Sequence, residues 1–272
     1  MKRSEIRTLV LRVGGTNCDK ETANAFMDLG VSADVVHTRT VIKDKSLLEY
    51  EILVFPGGFA YGDYVRSGVI WAKEVEVNLL SDLLSFIEDG RPVLGICNGF
   101  QVLVELGILP GFHGRSSYPE AALATNASNH FECRWVSMKN VNMGKCFFAS
   151  YIPKDSLITI PVAHGEGHFV FPKEKEKEFL DLLYDKDQLV LRYAKANGSF
   201  AEGEYPYNPN GALHDIAGIC SPEGNVFGLM PHPERAYFGW QLPDWTKQEK
   251  TPEYGDGKRI LEAVVEYVQR KF

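Results

Sequence analysis

The sequence lacks several things that define whole protein classes. No apolar run approaches the roughly 18 residues that a membrane-spanning helix needs, so no membrane role is expected. Positive charge is in deficit, with 29 Lys and Arg against 36 Asp and Glu and a formal net charge of -7 at pH 7. That balance argues against a nucleic-acid-binding surface. Cysteine is scarce, five residues in 272, an odd number without close pairs. Neither a disulfide framework nor a zinc-ligand spacing is present, and a reducing, cytoplasmic setting is expected. The opening residues Met1-Lys2-Arg3-Ser4-Glu5-Ile6-Arg7 carry no signal-peptide core. There is no internal repeat and no low-complexity segment. A phosphate-cradling glycine loop is missing too, so no cofactor is expected in this chain and any ATP chemistry belongs elsewhere.

What is present is ordinary globular material, 44% hydrophobic and 24% charged. One α/β domain over residues 1–272 is expected rather than two. The first half alternates strand-like and helix-like runs. Residues 8–13, 33–37, 52–55 and 93–96 read as strands. Residues 17–29, 46–50, 67–89 and a stretch ending near Gly107 read as helices, with Thr16 or Asn17 as the first cap. Such alternation predicts a mostly parallel central sheet covered by helices on both faces. The middle differs. A long polar connection, 111–129, precedes strand-like runs at 130–139, 146–150, 156–163 and 168–171, which predict a smaller antiparallel region. A charged helix starts near Lys173. Further strands follow at 189–194, 216–220 and 225–230, with a last helix over 258–269. Residues 239–256 match no clear pattern.

Chemistry concentrates at Gly95-Ile96-Cys97-Asn98-Gly99-Phe100-Gln101. A buried strand, a Gly-x-Cys-x-Gly bend and a helical stripe form the nucleophile-elbow pattern with Cys in place of Ser. The bend sets Cys97 at a helix start, where backbone dipoles favour negative charge. In a catalytically silent chain the same residues would simply pack a small thiol between two turn glycines. A cysteine nucleophile needs a base, and the base needs an orienting group. His232-Pro233-Glu234 supplies both. If the backbone is extended there, residues two apart face the same side. The strand ending in Pro56-Gly57-Gly58 bares backbone N–H groups of the kind an oxyanion hole requires. Cys18 is a rival thiol, but nothing base-like follows it in a matching pattern, and it reads as structural. Cys133 and Cys146 read as packed. Ala163-His164-Gly165-Glu166-Gly167-His168 lacks the ligand count and helical spacing of a zinc site, so no metal is expected.

The elbow, the late His-Pro-Glu and the Pro-Gly-Gly strand end resemble class I (triad) glutamine amidotransferases. Further segments extend the likeness: Phe59-Ala60-Tyr61-Gly62-Asp63-Tyr64, Phe131-Glu132-Cys133-Arg134, Ala163 to Gly167, Asn208-Pro209-Asn210-Gly211 and Met230 to Arg235. Together they resemble the glutamine amidotransferase subunits of phosphoribosylformylglycinamidine synthases of purine biosynthesis. The resemblance implies a three-layer α/β fold and a Cys97, His232, Glu234 triad. It implies oxyanion donors near Gly58 and at Asn98, and glutamine contacts from Gly57, Gln101, His164, Gly165 and Glu166. It further implies L-glutamine as substrate, and ammonia delivered to a large synthetase subunit that uses ATP and Mg, with a small bridging subunit. The alternatives are the amidotransferase of another synthetase (GMP, CTP or anthranilate), a thiol or ester hydrolase on the same elbow, and a silent binding subunit.

Overall fold

In the computed structural model, which describes residues 1–272, eleven strands form two sheets. The large sheet has nine strands in the order β2-β1-β3-β4-β11-β10-β9-β6-β7. Its parallel half comprises β1 (Arg7–Arg12), β2 (Ser32–His37), β3 (Ile52–Phe55), β4 (Val93–Ile96) and β11 (Val226–Leu229). β3, β4 and β11 are buried at every position, which is how strands covered on both faces read.

The antiparallel half comprises β6 (Glu132–Asn140), β7 (Leu157–His164), β9 (Leu189–Ala194) and β10 (Ile216–Cys220). They form the expected antiparallel region, joined to the parallel strands within one sheet through the β10–β11 pairing. Only β5 (Ala122–Thr125) and β8 (Glu166–Val170) pair separately. β5 sits inside the supposed polar connection, four residues too short to show a period.

The helices are α1 (Asp19–Asp28), α2 (Thr38–Asp44), α3 (Val69–Asn78), α4 (Leu80–Glu88), α5 (Asn98–Glu105), α6 (Glu176–Asp185) and α7 (Gly257–Lys271). The single helix expected over 67–89 is two. Leu79 leaves the helical region at φ -128°, ψ -3°, and the bend lets Leu79 and Leu83 bury alongside Trp71 and Val75. α2 was hidden because its cap is unusual: the His37 ring accepts from Arg39 N. Cys18, not Thr16 or Asn17, stands at the α1 cap, while the Thr16 hydroxyl accepts from Val13 N. Residues 147–149 form a helical turn instead of a strand. Cys133 is exposed, because alternation along β6 turns Glu132 inward and Cys133 out.

The core is one cluster of 71 buried apolar residues running from Ile6 to Val268. It places the carboxyl ends of β3, β4 and β11 side by side, the position at which parallel sheets carry their sites. No helix is long and apolar enough to cross a membrane.

Candidate active site

β4 ends at Ile96, and the chain turns at once into α5. Cys97 occupies that turn at φ 50°, ψ -104°. A non-glycine residue held there costs about 1–3 kcal/mol, and the surroundings must over-determine it. They do so by close packing. A Cβ on Gly99 would lie 1.9 Å from Phe55 O, so α5 crosses β3 at backbone contact only because position 99 is glycine. Phe100, Val102 and Leu103 are buried beneath the helix, each contributing about 1.5–3 kcal/mol. Cys97 N donates to Leu229 O on β11 at 2.8 Å. Sγ lies 3.6 Å from Ala163 O.

His232 follows β11. Its N–H donates to Pro161 O at 2.8 Å, anchoring it to β7. His232 itself is extended, but Pro233–Ala236 is a helical turn, not the extended segment the sequence suggested. The two side chains meet nonetheless: His232 Nδ1 lies 2.6 Å from Glu234 Oε1, with both residues 1% exposed. Nδ1–H donates to the carboxylate, which leaves Nε2 as the basic nitrogen. Nε2 is buried and has no partner in the protein. Burial favours the neutral ring, but the Glu234 carboxylate and Cys97 outweigh it, and the His232 pKa rises well above its ordinary value.

The unassigned segment 239–256 braces this turn from behind. Gln241 Nε2 donates to Glu234 O at 3.0 Å, and its Oε1 accepts from Tyr237 N at 2.9 Å and Phe238 N at 2.8 Å. A Cβ on Gly257 would lie 1.9 Å from Pro233 O. Gln241→Ala should cost about 1–3 kcal/mol in urea unfolding and lower kcat more than it raises KM. Gln241→Glu keeps both acceptor contacts and should fall between; an unchanged kcat would remove Gln241 from the support of Glu234.

Gly57 and Gly58 end β3 beside the triad. A Cβ on Gly57 would stand 2.6 Å from His232 Cε1 and 3.1 Å from Cys18 Sγ. Position 57 is thus a seat for the His232 ring. Gly57→Ala should push the ring aside and reduce kcat by about 100-fold for a shift near 1 Å, with little change in melting temperature; normal turnover would contradict this. Gly58 lines a cleft of about 160 Å³ with Phe59, Phe131, Ala163, His232 and Arg235. A larger cavity of about 450 Å³, near Ile87, Ile108 and Tyr267, contains no triad residue.

The Asn98 side chain is occupied in bracing the elbow. Its Oδ1 accepts from Ala60 N at 3.2 Å, and its Nδ2 donates to Gln101 Oε1 at 2.8 Å. Its backbone N–H, in the first turn of α5, is of the kind that has no partner within a helix. Gln101 Nε2 donates to Glu166 O at 2.5 Å, tying α5 to β8, and Glu166 Oε2 accepts from Ser67 N at 3.1 Å. His164 is buried, and burial followed by the charge of His232 pushes its pKa down to about 3. Its Nδ1 faces Asn126 Oδ1 at 3.1 Å, and its Nε2 faces Asn210 Nδ2 at 3.5 Å. Both ring nitrogens are therefore engaged within the protein. Gly165 has open space, its would-be Cβ meeting only Phe131 Cδ2 at 3.9 Å.

Comparison with known proteins agrees with this geometry. Residues 5–268 match the CobB/CobQ-like glutamine amidotransferase domain. The chain belongs to that glutamine amidotransferase family. The phosphoribosylformylglycinamidine synthase subunit PurQ of Archaeoglobus fulgidus is 48% identical, over 99% of this chain and 100% of that protein. The PurQ subunit of a Methanococcus maripaludis strain is 44% identical, over 92% and 90%. Among solved structures, PurLQS from Thermotoga maritima contains a chain 31% identical, with TM-score 0.71, covering 97% of this chain and 99% of that one. Another glutamine amidotransferase from Thermotoga maritima, 18% identical with TM-score 0.54 over 97% and 98%, shares the fold.

Within this amidotransferase, sequence reasoning overlooked residues that surround the triad. Cys18, read as structural, lies 3.8 Å from His232 Nδ1. Arg235 donates to Cys18 Sγ at 3.1 Å and to Glu21 Oε1 at 2.9 Å. Asn126 and Asn210 fix His164. Two signals pointed to them: Arg235 directly follows Glu234, and Asn210 sits in the Asn-Pro-Asn-Gly cluster. Neither says what it touches until the chain is folded.

Proposed function

We propose that this chain is a glutaminase subunit that releases ammonia from L-glutamine for a partner synthetase converting formylglycinamide ribonucleotide to formylglycinamidine ribonucleotide in purine biosynthesis. The observation that carries the reading is an intact Cys97 elbow with His232 and Glu234, in a chain collinear with PurQ subunits over nearly its whole length. The whole of residues 1–272 acts as one amidotransferase domain, in the reducing cytoplasm that five free thiols fit.

Cys97 Sγ attacks the side-chain amide carbon of glutamine. The oxygen takes negative charge and is met by backbone N–H groups at Gly58 and Asn98. His232 takes the thiol proton through Nε2 and returns one to the departing nitrogen, so the C–N bond breaks and ammonia leaves. His232 then takes a proton from water, which attacks the thioester; glutamate leaves and Cys97 recovers its proton. Glu234 holds the ring in the required tautomer throughout. Gly57 seats the ring at the substrate cleft. Gln101 contacts the bound glutamine, Gly165 and Glu166 help hold its amino-acid end, and His164 keeps their turn rigid.

ATP and Mg belong to the large synthetase subunit, with a small subunit bridging the two chains. The loop over residues 60–66 offers a face to them, with Tyr64 74% and Val65 83% exposed. Glutamate release should rise sharply when the chain is mixed with an ammonia-dependent formylglycinamide ribonucleotide synthetase and its small partner, and amidine should form from glutamine. Turnover indifferent to that mixture would assign the chain to another synthetase.

A further inference from the structure

A second cluster shares His232 and Glu234 with the triad and adds Cys18, which plays no part in the glutaminase steps. Cys18 Sγ, a ring nitrogen of His232 and a carboxylate oxygen of Glu234 lie within 4.8 Å of one another, all three residues buried. Cys18 approaches Nδ1, at 3.8 Å, on the side of the ring away from the nitrogen left for Cys97. Thiolate, imidazole and carboxylate form the donor set of a zinc-like cation. With zinc–sulfur near 2.3 Å and zinc–nitrogen near 2.05 Å, two ligands at the tetrahedral angle stand about 3.6 Å apart. The observed 3.8 Å from Sγ to Nδ1 is close to that spacing. Glu234 Oε1, now 2.6 Å from Nδ1, has to withdraw by less than about 1 Å to reach a ligand-to-ligand spacing. The carboxylate has capacity to spare, because its Oε2 is buried without a partner. Entry is through the cleft of about 160 Å³, which both Cys18 and His232 line. Asn17 Oδ1, 3.2 Å from Sγ, or water completes the set. Arg235 opposes the cation from 3.1 Å beyond Sγ, but its Nε is already held by Glu21 at 2.9 Å.

We infer that Cys18, His232 and Glu234 form a site for a soft divalent cation of the zinc class, and that its occupation switches the glutaminase off. Binding releases the Cys18 thiol proton to solvent and shifts the ring's own proton from Nδ1 to Nε2, so that His232 binds as neutral imidazole through Nδ1. The cation takes Glu234 away from the ring and places positive charge on it, so Nε2 can no longer accept the Cys97 proton. The binding half stands independently; the inhibitory half rests on the glutaminase reading.

The probe is Co²⁺, titrated into the full chain carrying Cys97→Ala and Cys133→Ala, which removes the other thiols near the cleft. A sulfur-to-cobalt charge-transfer band should saturate at one ion per chain. Adding Cys18→Ser should abolish the band and weaken binding by about tenfold or more, since even outer-shell partners of a metal carry that much. Glu234→Gln, made without Cys18→Ser, should keep the band but weaken binding, and it decides the matter if the Cys18 variant does not fold. A band that survives Cys18→Ser, no band in the folded chain, or unaltered affinity in Glu234→Gln would overturn the site. Separately, Zn²⁺ should inhibit glutamate release in the unmodified chain and inhibit Cys18→Ser far less. Equal inhibition would place the cation at Cys97 and overturn the switch.

Discussion

Replacing Cys97 with alanine should reduce glutamine hydrolysis roughly 10⁴- to 10⁶-fold, as loss of the nucleophile does in other triad hydrolases. At least about 5.5 kcal/mol of barrier lowering is at stake. Nothing nearby can substitute. Cys18 is the obvious rescuer, but burial, followed by the charge of Glu234, pushes its pKa up to about 12 against the lowering effects of His232 and Arg235. It is a thiol at neutral pH, and it lies against Nδ1 rather than Nε2. In complex with the synthetase, Cys97→Ala should still support amidine formation from added ammonia, because the ammonia-using step belongs to the partner. Turnover of glutamine within tenfold of the unmodified chain, measured as glutamate released, would remove Cys97 from its role.

His232→Ala should cost nearly as much, and Glu234→Gln roughly 10- to 100-fold less than that. The difference follows from what each group does. In the proposed steps His232 moves protons in both halves of the reaction, whereas Glu234 fixes which ring nitrogen carries one. The 2.6 Å contact from Nδ1 to Oε1 holds the ring with Nε2 free. A glutamine at 234 can still accept that proton through its amide oxygen, but it lacks the charge that raises the ring's pKa. Linkage gives the sign. A ring whose folded-state pKa is raised contributes stability below its unfolded value, lost as pH rises through the folded one. Glu234→Gln should therefore weaken the fold most at the acid end of that window. Equal or reversed rate losses for the two variants would contradict the division of labour.

Much of the site was legible because its chemistry is written in short contiguous stretches. Gly95, Cys97 and Gly99 encode the elbow directly, since only glycine lets α5 cross β3 at backbone contact. His232 and Glu234 are two residues apart, so their pairing was visible even though the turn at Pro233–Ala236 was not. What escaped reading was assembled across the chain. Cys18 reaches His232 over 214 positions, and Gln188 holds Pro110 O over 78. Gln241 supports Glu234 from a segment whose sequence has no period, because its job is a set of backbone hydrogen bonds rather than a buried stripe. The helix break at Leu79 and the strand at Ala122–Thr125 were lost for a different reason. Tertiary packing, not local pattern, decides a bend within an apolar run or a strand of four residues.

The most direct test is to quench the chain during glutamine turnover and map the acyl-enzyme by peptide mass spectrometry. A glutamyl thioester should sit on the peptide containing Cys97, and be absent after Cys97→Ala. An adduct on the Cys18 peptide, or steady turnover with no adduct on any cysteine, would contradict Cys97 as the nucleophile.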